Sequence, residues 1–519
     1  MGKFQQNNFS FAKAAVANIQ RSKFRRPSTH KTTFDANQLV PVFVDEVLPG
    51  DTFDLKASHF ARLATPIKPS MDELYMDIHY FFVPNRLVWS NWEKFMGEQD
   101  NPSDSIDYLV PTIPVSFNNV GEHTNSIFDY FGVPFVDSAT GSVDVNALPF
   151  RAYNLIWNEW YRDQNLQDSV TEDFDDNDVM TNYSILNRNK KHDYFTSALP
   201  FPQKGEAVDL PLGSQAPIKT DVARGGINSL GILDVNDVES RIDVASPSLY
   251  INAADPATTL YADLSGATSA TINQLRQAFQ LQKFLERDAR GGTRYIEIIK
   301  SHFGVTNPDF RLQRPEYLGG THSDIEMTTI AQTGPTQTGV TPQGNLAAMG
   351  VAFDSKRVFN KSFTEHGFII GLASVYAPNT YQQGLNRMWS RSTRYDYFWP
   401  SFAHLGEQAI FNKEIYCDGS SSDDSTFGYQ ERYAEYRYMP SRISGLFRSS
   451  ATNSLDVWHY AQDFANLPVL NSSFIEMDSP IDRNIAVTTE PQFIADFNFN
   501  LTTVRPMPMY GTPGFVDRY

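Results

Sequence analysis

The sequence predicts a mainly β fold, a single large sandwich or barrel domain that carries long insertions. Three observations lead there. Thirty Gly and 30 Pro are spread along the 519 residues and punctuate the chain into strands and loops rather than long helices. Aromatic residues make up 13%, with 38 Phe and 24 Tyr, enough to fill a large core. Several segments alternate apolar and polar residues at a period of two. Length alone would suggest three or four domains, but sandwich domains with insertions also reach this size.

The first 34 residues stand apart. They contain Lys3, Lys13, Arg21, Lys23, Arg25, Arg26 and Lys31 and no acid, so the remainder stands at −24 beneath a total of −17. The bulk charge argues against a nucleic-acid partner, and this segment argues for one. Phe4, Phe9, Phe11 and Phe24 are interleaved with the cations. Cations for phosphates and rings for base faces suit sequence-tolerant contact with a single strand. The seven cations are therefore the candidate nucleic-acid ligands, with a solvated tail as the alternative.

Residues 40–98 organise the rest of the chain. Over 74–83, Leu74, Met76, Ile78, Tyr80 and Phe82 share one face of a strand, and Tyr75, Asp77, His79, Phe81 and Val83 share the other. The first face is apolar and the second mixed, which predicts a sheet buried on one side and partly covered by loops on the other. Pro84 lacks the donor a ladder needs and ends the strand. Ser90 and Glu93 have capping-box spacing for a short helix that carries Trp92, Phe95 and Met96 and closes at Gly97.

After loops and short strand candidates, residues 149–166 place Tyr153, Ile156, Trp157, Trp160 and Tyr161 at helical spacing, a stripe expected to pack in a core rather than bind a ligand. In 171–184, Asp173, Asp175 and Asn177 match the start of a calcium loop. Asp178 stands where that loop needs Gly and Ser184 where it needs Glu, so a solvated acidic loop is expected. Residues 271–290 predict a helix with so broad an apolar arc that burial on more than one side is expected, with Gly291 and Gly292 as its stop. The RGGTR run there follows a helix and lacks phosphate-loop spacing, so it reads as a helix break.

Residues 328–345 have no periodicity and read as an extended loop. The clearest strands lie at 368–376 and 492–503. In the latter Phe493, Ala495, Phe497, Phe499 and Leu501 alternate with Asp496, Asn498, Asn500 and Thr502, as in a sheet with one wet face. The Pro- and Gly-rich tail, 505–519, is expected to lie extended over a neighbouring surface.

Enzymatic signals are missing from the sequence. The ten His show no metal-ligand spacing, and neither a nucleophile elbow nor a dinucleotide fingerprint is present. The single Cys417 forbids an intramolecular disulfide and fits a reducing cytoplasm. No metal, cofactor or catalytic residue is expected. With no signal-peptide pattern and no apolar run near the ~18 to 20 residues of a membrane span, the protein is expected to be soluble and unexported.

Specific runs carry a family resemblance. THKTTF (29–34), VDEVLPGDTF (44–53) and YFFVPNRLVWSNWEKF (80–95) resemble the major capsid protein of gokushoviruses, small single-stranded DNA phages of the microvirus family. LRQAFQLQKFLERDARGGTRYIEII (275–299), HFGV (302–305) and RLQRPEYLGG (311–320) resemble the same family in the same order. The resemblance lapses over 206–270.

What it implies is an eight-stranded antiparallel jelly roll in a T=1 icosahedral shell, assembled in the bacterial host cytoplasm, with the basic arm facing the genome. It divides the chain into an internal arm (1–34), a first part of the roll with insertions (35–205), a variable surface insertion at the three-fold axes (206–270), and the remainder with a helical insertion and extended tail (271–519). The partners it implies are further copies of the chain, the single-stranded DNA, an internal scaffolding protein, a small DNA-binding protein, a pilot protein and a host cell-surface receptor. A carbohydrate-binding or carbohydrate-cleaving jelly roll is the competing reading, since lectins share the architecture and the chain is rich in Trp and Tyr.

Overall fold

The structure, a computed structural model, describes residues 20–99, 101, 103–105, 107–116, 123–136, 141–172, 178–206, 218–219, 231–233, 239–241, 261–262, 272–291, 297, 300–302, 313–336 and 342–510. The chain divides into two compact units, Met1–Pro200 with Pro308–Tyr519, and Phe201–Asn307.

The first unit is built on nine long strands: β1 (Ser22–Phe34), β2 (Val40–Val47), β3 (Thr52–Leu63), β4 (Tyr75–Pro84), β5 (Glu316–Asp324), β6 (Glu326–Ala331), β7 (Leu346–Ser362), β8 (Gly367–Tyr376) and β9 (Phe493–Arg505). One sheet runs β1-β9-β3-β7-β6 and the other β5-β4-β8-β2, antiparallel throughout. Successive strands change sheet except from β4 to β5, while β6 only folds back along β7. Without β6, this is the eight-stranded connectivity of a jelly roll.

The core lies between the sheets. Phe493, Ala495, Phe497, Phe499 and Leu501 of β9 and Phe53 and Leu55 of β3 meet Met76, Ile78, Tyr80 and Phe82 of β4 and Ile369, Ala373 and Val375 of β8. The predicted alternation of β9 therefore holds. For β4 the second face is covered in part, with Phe81 and Val83 buried in a second cluster and Tyr75 and His79 half-buried, but the expected cover by loops is corrected. The cover is helix α1 (Leu148–Ile156), which opens with Pro149 in its first turn and runs on as a π-turn, Trp157–Tyr161. Tyr153 on α1 donates a 2.9 Å hydrogen bond to the Leu39 carbonyl and ties the helix to the start of β2. Tyr153, Ile156 and Trp157 of the aromatic stripe pack in the core, as expected, but Trp160 is 41% exposed and the helical spacing stops at Tyr161, where Arg162 is extended. With both faces covered, β8 is buried along its whole length.

Four further expectations change. The helix after Pro84 spans only Trp92–Phe95, and no side chain caps it. The helix begins one residue later than the box requires, with Asn91 as its N-cap, and Trp92 N–H bonds the Trp89 carbonyl at 3.1 Å and Phe95 N–H the Asn91 carbonyl at 2.8 Å. Residues 328–331 of the supposed loop belong to β6, where Thr328, Thr329 and Ile330 pair with Met349, Ala348 and Ala347; their β-branched side chains suit a pleated edge. Asp178 is buried rather than solvated, its side chain fully enclosed with Arg151. The second half of the basic arm is β1 rather than a tail.

In the second unit, α2 (Ile272–Arg290) forms as predicted, but Phe279, Leu281 and Phe284 stay exposed. The described strands of this unit are ladders of only two or three residues. Residues 173–177, 292–294 and 511–519, which hold the calcium-like triplet, the RGGTR glycine and the end of the tail, lie outside the described residues.

Candidate nucleic-acid interface

The register of β1 on β9 sorts the predicted cations by parity. Phe34 pairs with Phe493, His30 with Phe497 and Arg26 with Leu501, so even-numbered residues face the core. Lys23, Arg25 and Lys31, opposite Val504, Thr502 and Asp496, face outward. Lys31 Nζ sits 3.7 Å from the Asp496 carboxylate.

Arg26 differs from Lys23, Arg25 and Lys31 in being half-exposed and already engaged with a carboxylate. It reaches across the edge of the sandwich and donates from Nη1 and Nη2 to Asp45 of β2 at 2.6 and 2.9 Å. This bidentate bond staples one sheet to the other. Arg505 continues the array 3.4 Å from Asp51, whose fully buried carboxyl is pushed up by desolvation. Arg21 lies against Gly50, where an added β-carbon would stand 3.0 Å from Nη2. On the same inner side, burial pushes the His30 imidazole below its ordinary value. Lys3 and Lys13 lie outside the described residues.

The outward face extends across three more strands. Lys56, Ser58, Phe60 and Arg62 of β3 stand opposite Asn500, Asn498, Asp496 and Ile494 of β9. On β7, Arg357, Ser355 and Phe353 stand opposite Lys56, Ser58 and Phe60. Phe60 and Phe353 are therefore cross-strand neighbours, 47% and 68% exposed. Arg357 bonds Asp54 at 2.7 Å. Lys23, Arg25, Lys56 and Arg62 make no ion pair among the described residues. The face thus combines surplus cations, amides and an open aromatic pair. Phosphates, base edges and base faces call for these three chemistries.

Lys56, Phe60 and Arg62 escaped the sequence pattern of a basic block. Their signal was present: along β3 polar or exposed residues alternate with Phe53, Leu55, Ala57, Ala61 and Leu63, all buried. Among the described residues no group of His, Cys, Asp and Glu is arranged to hold a metal, and no helix is long and apolar enough to cross a membrane.

A jelly roll is an architecture that viral shell subunits share with lectins and cupins, and an open cationic sheet face behind a basic N-terminal segment fits the first of these. A family model described as "Capsid protein (F protein)" matches residues 12–515, and the chain belongs to that family. It is 50% identical to "Capsid protein VP1" of Bdellovibrio phage phiMH2K, over 99% of both chains. Identity is 43% to "Capsid protein VP1" of Chlamydia phage 1, over 97% of both, and 37% to that of Spiroplasma virus 4, over 99% of both. These are gokushovirus-type relatives, and all three names describe structural proteins rather than enzymes. The carbohydrate reading falls away.

Proposed function

We propose that the chain builds a T=1 icosahedral shell around a single-stranded DNA genome, with the outward face of β1, β9, β3 and β7 and the basic segment before it turned toward the DNA. The observation that carries this reading is the set of four cations, Lys23, Arg25, Lys56 and Arg62, that make no ion pair among the described residues and share one sheet face with the open Phe60 and Phe353 pair. Assembly takes place in the host cytoplasm with an internal scaffolding protein, a small DNA-binding protein and a pilot protein, as the gokushovirus resemblance implies.

Single-strand affinity falls with log salt at about −0.7 per phosphate contact. Replacing Lys23, Arg25, Lys56 and Arg62 together with Ala is therefore expected to flatten the slope by roughly 3. Arg26→Ala is expected to leave the slope unchanged, because its guanidinium is engaged with Asp45. A fourfold variant that keeps the wild-type slope would overturn the assignment.

Host attachment is assigned to the insertion that includes 206–270. Surface loops change length at little closure cost, about 0.6 kcal/mol per doubling, so such a segment diversifies without unsettling its scaffold. Particles in which residues 212–262 are replaced by a short Gly-Ser linker are expected to assemble and retain DNA but to adsorb poorly. Normal adsorption removes the receptor role.

A further inference from the structure

Half-exposed aromatic side chains concentrate in one part of the first unit, the loop 386–405 and the turn 433–439. Seven rings there are between 43% and 69% exposed, five of them between Trp389 and Trp399 and two at Tyr436 and Tyr438. Beside them Met439 is 91% exposed. A monomer seldom displays apolar surface of this extent.

The loop is held firmly. The Asp396 carboxylate accepts hydrogen bonds from Ser392 and Thr393 N–H at 3.1 and 2.7 Å, and Trp399 Nε1 donates to the Arg394 carbonyl at 2.8 Å. Phe398 packs on Tyr433 at 5.0 Å, joining loop to turn. Arg391 stacks over Tyr436 at 4.4 Å while pairing with Glu435 at 3.2 Å, and Arg387 pairs with Glu414 at 3.0 Å. The rings therefore present fixed faces at little entropic cost to a partner. Two of the three arginines between 386 and 394 already hold carboxylates, so the patch lacks the surplus charge that recognises phosphate.

We infer that this loop and turn form a contact between neighbouring copies of the chain in the shell, an inference that rests on the capsid reading. Trp, Tyr and Arg dominate the energetics of protein interfaces. At roughly 200 Å² per ring, seven half-exposed rings offer about 700 Å², close to the ~800 Å² that each partner contributes to a standard interface.

Hydroxyl-radical footprinting of intact phage particles against dissociated subunits tests it without altering the sequence. Labelling of Trp389, Tyr397 and Trp399 is expected to fall at least fivefold in the particle. Equal labelling overturns the inference, as does protection that vanishes when the internal proteins are removed from an intact shell. Trp389→Glu and Met439→Glu, made separately in the full chain, are each expected to lower particle yield at least tenfold while the subunit keeps its circular dichroism and thermal unfolding. Wild-type yield in both overturns it. Intact particles that lack this chain would instead defeat the capsid reading, an outcome distinct from all of these.

Discussion

Phe497→Ala is expected to destabilise the unassembled subunit by about 3 to 5 kcal/mol and to prevent particle formation, because the vacated volume lies where neither sheet can collapse into it. Phe497 is 1% exposed at the centre of β9. Its ring lies parallel to Phe499 at 6.4 Å and within 6.3 Å of the His59 ring on β3. Phe82→Ala on the opposing sheet makes the independent test. That ring is 4.5 Å from Phe363 and lies so near Gly367 that a β-carbon there would meet Cε2 at 2.6 Å. Chemical denaturation of the subunit and sedimentation of assembled particles measure both effects. Wild-type stability in either variant would contradict the packing of the two sheets.

These two residues were legible in the sequence for a simple reason. A strand with one dry face writes its register into its own residues, and β9 does so from Phe493 to Leu501. Strand β8 was legible differently, as a continuous apolar run, since both of its faces are covered. Strand β1 was not legible, because the side chains it turns inward include Arg26, Ser28, His30 and Thr32, and its pairing is dictated by β9. The consequence reached the candidate site. Taken as a block, the cations of the first 34 residues looked equivalent, but alternation sends Lys23, Arg25 and Lys31 outward and turns Arg26 into a staple to Asp45. The other half of the interface sits on β3 and β7, which adjoin β1 only through β9, so no local pattern joins them. The burial of Asp178 was equally hidden, for its partner lies 27 residues away on α1.

That hidden pair supports the second large effect. Arg151 donates from Nε and Nη2 to the two carboxylate oxygens of Asp178 at 3.0 and 2.8 Å, and both side chains are fully enclosed. Nη1 donates to the Val88 carbonyl at 3.1 Å, and the Tyr183 hydroxyl donates to Asp178. Burial, followed by the bond to Asp178, pushes the Tyr183 hydroxyl well above its ordinary value, so it stays a donor. Each charge is tolerated only because the other is present. Asp178→Ala strands a guanidinium that cannot shed its proton, and it is expected to cost about 3 to 5 kcal/mol. Arg151→Met combined with Asp178→Ala removes both charges and leaves only neutral groups, the Val88 carbonyl and the Tyr183 hydroxyl, in need of partners. The double variant is expected to be more stable than Asp178→Ala alone, because desolvation of an unpaired charge dominates the single loss. Denaturant unfolding of the three proteins decides it. If the double variant is the least stable of them, the pair contributes more through its hydrogen bonds than its burial costs, and the charge argument fails.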